Sequence, residues 1–190
     1  MSTVKNYTSI DLASNALLLI GEDTISSFTD NSTAALVAAN LYELTFESLL
    51  TLHPWRFAST QATLSRLTAT PVNTWKYAYQ LPADFLVAQH IDDATENYQI
   101  YGDKLYSNNL TIILDYTFKP DESFLPAYFA ELLEYRLASV FSIPITESAS
   151  KGDYYATLAE KQMTKAKTID SQMSPSSAPS GNSPLINFRA

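Results

Sequence analysis

Residues Ala34–Phe57, AALVAANLYELTFESLLTLHPWRF, carry the longest clean helical pattern in the chain and then break it abruptly. Val37, Ala38, Leu41, Leu44, Leu49 and Leu52 recur at spacings of mostly three, four or five and compose one apolar face. Asn40, Glu43, Glu47 and Thr51 recur opposite them, the arrangement an amphipathic helix requires. Pro54 has no backbone N–H and disfavours helical geometry at His53, so the helix is predicted to stop about there. Trp55 and Phe57 come next at period two and predict the start of a strand. The segment reads as a structural junction, with Pro54 stopping the helix and Trp55 and Phe57 anchoring the strand beyond it.

Upstream, Thr8 or Ser9 can cap a first helix whose apolar face is Leu12, Ala13, Ala16, Leu17 and Ile20, with Gly21 as its stop. Ser32 or Thr33 can cap the next, and the two are predicted to form an antiparallel hairpin. Downstream, 60–74 is rich in Thr and Ser without helical period, whereas Trp75, Tyr77 and Tyr79 alternate with Lys76, Ala78 and Gln80 as in a strand. Phe85–Ile91 and Leu110–Phe118 suit further strands, and Gly102-Asp103 is a good hairpin turn between Tyr101 and Lys104. After Pro120 the helical period returns. Phe129, Leu132, Leu133, Leu137, Val140 and Phe141 continue it to Ile143-Pro144, and Tyr155, Leu158, Ala159, Met163, Ala166 and Ile169 supply the face of a last helix.

The expected fold is therefore mainly α: an antiparallel bundle of about four helices with a small antiparallel β segment inserted and an extended C-terminal arm. Residues 1–57 and 120–173 would form the bundle as one discontinuous domain, 58–119 the β-rich insertion, and 174–190 a linker and arm. The tract SPSSAPSGNS is too polar and broken to pack, and beyond it lies the apolar tip Pro184-Leu185-Ile186-Asn187-Phe188-Arg189-Ala190. Such a tip either folds back on its own domain or docks on a partner. The partner is the better reading, because a long tether adds reach that self-packing does not need.

Composition narrows the function classes. Cysteine is absent among the 190 residues, which excludes disulfides, thiolate nucleophiles and cysteine-ligated metals. A net charge of −8 opposes adhesion to a nucleic-acid backbone, though an acidic surface can let DNA slide past. The N-terminus lacks a signal-peptide core and no apolar run is long enough for a membrane span, so synthesis in the cytoplasm is expected.

Catalytic signals are few. His53 and His90 are the only histidines, and neither stands in a metal-ligand spacing. Asp92, Asp93 and Glu96 could supply the paired carboxylates of a glycan hydrolase, but a solvated acidic turn is the simpler reading. Tyr77, Tyr79, Tyr98, Tyr101 and Tyr106, on short strands, could make a sugar-stacking or interface surface, and equally could be ordinary core and strand residues. No catalytic residue, metal site or cofactor is expected.

Several positions occur together in one order: Leu19-Ile20-Gly21-Glu22, then His53-Pro54-Trp55-Arg56-Phe57, then Trp75-Lys76-Tyr77-Ala78-Tyr79-Gln80-Leu81-Pro82, then Ile100-Tyr101-Gly102. Leu125-Pro126 and Ala159-Glu160 come after them. Over roughly residues 8–173 the chain resembles the tail tubular protein A family of short-tailed bacteriophages, the head-to-tail adaptors. The resemblance implies a structural virion protein at the head-tail junction, assembled as a dodecameric ring. Its implied partners are the portal protein and the tail nozzle (a tail tubular protein B-like ring), with DNA leaving through the lumen without sequence-specific binding and no membrane contact. Within that picture Pro184, Leu185, Ile186, Phe188 and Arg189 are the residues expected to meet the portal.

Overall fold

The computed structural model describes residues 6–72, 74–92 and 97–173. The N-terminal helix α1 spans Ser9–Ile20 and α2 spans Thr33–Thr51. A short 3-10 turn, Arg56–Ala58, leads into strands β1 (Ser59–Thr63), β2 (Ser65–Arg66), β3 (Tyr77–Gln80), β4 (Phe85–Ile91), β5 (Tyr98–Tyr101), β6 (Lys104–Ser107) and β7 (Ile113–Phe118). A second 3-10 turn, Glu122–Phe124, precedes α3 (Ala127–Thr146) and α4 (Ala149–Gln172).

Local chemistry sets most helix ends. Thr8 caps α1 in a reciprocal box with Asp11, and Gly21 closes it at φ 86°. Ser32 caps α2 through Ala35 N–H, and Ser148 caps α4 through Lys151 N–H. Pro144 does not end α3. It sits in the last turn, and the helix closes at Glu147 in the left-handed region, φ 52°.

The expected mainly α bundle is corrected by the sheets. The fold is α+β, with four helices and seven strands in two antiparallel sheets among the described residues. One sheet has the order β1-β7-β4 and the other β2-β3-β6-β5. The expectation fell short because in 59–66 only Ala62 and Leu64 mark a period of two, a pattern too short to read among Thr, Ser and Gln. Those residues form β1 and β2, the edge strands of the two sheets, where polar side chains belong. The β1-β7-β4 sheet is the middle layer. Leu86 of β4 packs on the helical core, while Phe85 and Ala88 pack on the core shared with the second sheet. Register shifts on either side of Val87–Ala88 let one strand serve both faces.

Two further expectations change. α1 packs chiefly on α3 rather than on α2, so the opening pair is not a simple hairpin. The buried face of α2 is Ala35, Ala38, Tyr42, Thr45, Phe46, Leu49 and Leu50, whereas Leu44 stands 68% exposed. Tyr42 and Phe46 decide this rotation, because their ring area outweighs that of the leucines they displace.

Candidate functional site

The junction after α2 begins no strand at Trp55. Trp55 is fully buried, and its indole N–H donates to Leu49 O at 3.0 Å across the end of the helix. Its ring meets Phe129 of α3 edge-on, centroids 5.1 Å apart, and Phe57 meets the same ring at 4.8 Å. Pro54 remains exposed and Phe57 is half-buried. The chain then turns through Arg56–Ala58, with Ser59 Oγ donating to Trp55 O at 2.7 Å.

Beneath this junction lies a buried carboxylate that no sequence motif marks. Asp170 of α4 is 1% exposed. It accepts from Arg56 N–H at 3.2 Å and from Tyr128 O–H at 2.9 Å, and His53 Nε2 stands 3.4 Å away. Burial, reinforced by this carboxylate, pushes the Tyr128 hydroxyl above its ordinary range. Asp170 thereby ties the end of α2 to α3 and α4. Its one signal in the sequence is a charge on a stripe: Ala159, Gln162, Ala166 and Asp170 recur at three- and four-residue spacing and are all buried.

The two histidines, 37 positions apart in the sequence, line one groove of about 410 Å³ between the end of α2 and β4. His90 Nε2 pairs with Asp115 of β7 at 2.7 Å. Among the described residues, no group of three or more His, Asp or Glu is placed to hold a metal ion. Asp92 is exposed and accepts from Ile113 N–H at 3.3 Å, an interaction that terminates the β4–β7 ladder. Asp93 and Glu96 lie outside the described residues, as do Pro184, Leu185, Ile186, Phe188 and Arg189.

The strand tyrosines do not share one surface role. Tyr79 is fully buried, with its hydroxyl donating to Asn109 O, while Tyr101 is exposed and meets Tyr106 edge-on at 5.8 Å. Tyr77 lies under the Arg66 guanidinium, 5.1 Å from ring centroid to Cζ.

Large apolar groups do project from the helical part. Leu18, Leu36, Leu44, Leu52, Phe124, Ile143 and Tyr154 each expose more than half of their surface. Leu18 and Tyr154 border one groove, where the end of α1 meets the start of α4. Lys151 Nζ donates to Ile20 O at 2.6 Å there, a cation set on helix-terminal carbonyls, and Tyr155 O–H donates to Leu19 O. No described helix is long and apolar enough to cross a membrane. Comparison with protein-family models and with curated proteins returned no match.

Proposed function

We propose that this chain is a structural virion protein, a ring-forming adaptor that joins a phage portal to the tail nozzle. The observation that carries this reading is the set of large apolar side chains left exposed on the helical part, among them Leu44 and Phe124 at 68% and 75%. Monomeric proteins rarely expose a large contiguous apolar patch, and where exposed apolar groups share one groove, as Leu18 and Tyr154 do, subunit contact is an ordinary reason for keeping them. Head-to-tail contacts between identical subunits close into a ring when the rotation permits. The resemblance to the tail tubular protein A family adds the dodecameric form and the two partners. A net charge of −8 suits a lumen through which DNA slides without capture.

Mass measurement of the purified protein, alone and with its portal, tests the assembly. A closed multiple of the 21.1 kDa protomer is expected in at least one condition, and a monomer in both would overturn the reading. The tip Pro184–Arg189 is assigned the portal contact. A chain lacking residues 184–190 should keep its helical circular dichroism and lose portal binding. Unchanged binding would remove the tip from the interface while leaving the ring itself untouched.

A further inference from the structure

Arg66 and Lys76 flank a pocket of about 410 Å³ between the end of β2 and the start of β3, with Thr68, Thr70 and Tyr77 among its walls. None of the residues lining it is a carboxylate, so nothing in its wall offsets the two cations. Among the described residues neither cation makes an ion pair. The guanidinium is instead set over the Tyr77 ring at 5.1 Å, which fixes its position without neutralising it. The Lys76 main chain is anchored by its N–H, which donates to Asn108 Oδ1 at 3.1 Å, and its side chain is exposed. Two uncompensated cations and two hydroxyls around one hollow are a donor set without an acceptor.

We propose that this pocket binds a single phosphate group. A guanidinium fork, an ammonium and two threonine hydroxyls offer more donors than the two oxygens of a carboxylate can use, and they suit a tetrahedral oxyanion. One pocket with two cations holds one anion. A duplex backbone would bring many phosphates against a chain of net charge −8, so a small ligand is the occupant. The phosphate can be free or the ester group of a small molecule such as a sugar phosphate, since the pocket is larger than the anion alone.

Titration of the full chain with inorganic phosphate and with glucose 6-phosphate, at fixed ionic strength, tests the site. Saturable one-to-one binding is expected for at least one ligand. Arg66→Gln should weaken it roughly tenfold or more, the scale of a charge-assisted hydrogen bond, and Lys76→Gln should also weaken it. Arg66→Lys should restore only part of the affinity, because it returns the charge without the fork. Tighter binding of the ester identifies a small-molecule ligand, and equal binding identifies free phosphate. The proposal is overturned by absence of saturable binding to either, or by unchanged affinity in an Arg66→Gln protein with native circular dichroism. It is also overturned if duplex DNA binds in an Arg66-dependent way and more tightly than either small ligand.

Discussion

The helical core and the β core of this protein are built by different means. Among the described residues the first joins 24 buried apolar residues and the second eight. An aromatic relay runs through the helical core, from Phe28 to Tyr42, Phe46, Phe129, Trp55 and Phe57, each ring within 6.2 Å of the next. Among its described residues the β core has no relay of that length. Tyr79 and Tyr116 lie buried in it, and both send their hydroxyls to its margin, Tyr79 to Asn109 O and Tyr116 to Asp84 at 3.0 Å. A core as large as the helical one can lose its anchor only at high cost, whereas the smaller core depends on ladders and edge contacts. The middle sheet, touching both, decides whether the two fail together.

Trp55→Ala strikes the larger core hardest. It empties a fully buried site between His53, Phe57 and Phe129, so stability should fall by about 3–5 kcal/mol in urea denaturation. Leu105→Ala, in the middle of the β core, should cost less, roughly 2–3 kcal/mol, because fewer neighbours surround the cavity. Circular dichroism of the helices and hydrogen exchange of the strand amides, followed through the same urea series, should give one midpoint in each variant. Separate midpoints in Leu105→Ala would show that the β core opens without the helical one, and the difference between the cores would then be one of autonomy as well as size.

Much of the helical part was legible because its signals are local. Thr8, Gly21 and Ser32 act where their side chains or backbone dihedrals place them, with no help from distant residues. The Gly102-Asp103 turn was legible for the same reason: Gly102 sits at φ 60°, which a two-residue hairpin demands. What escaped was decided across the chain. The buried side of α2 depends on where the rings of Tyr42 and Phe46 meet Phe28 and Phe129; Val37, Ala38, Leu41 and Leu49 meet the core as expected, and counting leucines failed at Leu44 and Leu52, which stay exposed. β1 and β2 are strands because β7 and β3 pair with them, and their own Thr and Ser side chains carry no pattern. Trp55 and Phe57 alternate like strand residues yet both face the helical core, since the chain turns between them. Asp170 was invisible as a site because its partners lie 42 and 114 positions away.

Asp170→Asn probes the polar node at the edge of the helical core. The amide keeps the shape but replaces one acceptor oxygen by a donor: at the Oδ1 position it faces Tyr128 O–H, at Oδ2 it stands beside His53 Nε2, and Arg56 N–H is in contact with both positions. A buried donor left without its acceptor costs about 1–3 kcal/mol, so a loss in that range is expected by urea denaturation. Arg56 N–H should also exchange faster with solvent, measured by hydrogen exchange. A neutral substitution would mean that Oδ1 alone serves Arg56 N–H and Tyr128 O–H, with the amide accommodated beside His53.

The smallest effect, and the one that separates the cores by pH, is Tyr42→Phe. At neutral pH the variant gives up only the hydrogen bond to Glu122 Oε1 at 3.3 Å, about 0.5–1.5 kcal/mol. Burial, with Glu122 second, raises the Tyr42 hydroxyl well above the ordinary value of 10.0. A raised folded-state value means that below about pH 10 both states keep the proton and the contribution of Tyr42 is fully present. As pH rises further the unfolded chain sheds its proton first, and that contribution is lost progressively towards the folded value. Wild-type stability should therefore fall more steeply above pH 10 than that of Tyr42→Phe, and the two curves should converge. Tyr79→Phe should flatten the same limb less, because Tyr79 lacks the carboxylate neighbour that Tyr42 has and Arg66 opposes its shift. Equal flattening by the two variants would show that burial alone sets the alkaline limb, and the carboxylate beside Tyr42 would then contribute nothing that distinguishes the helical core from the β core.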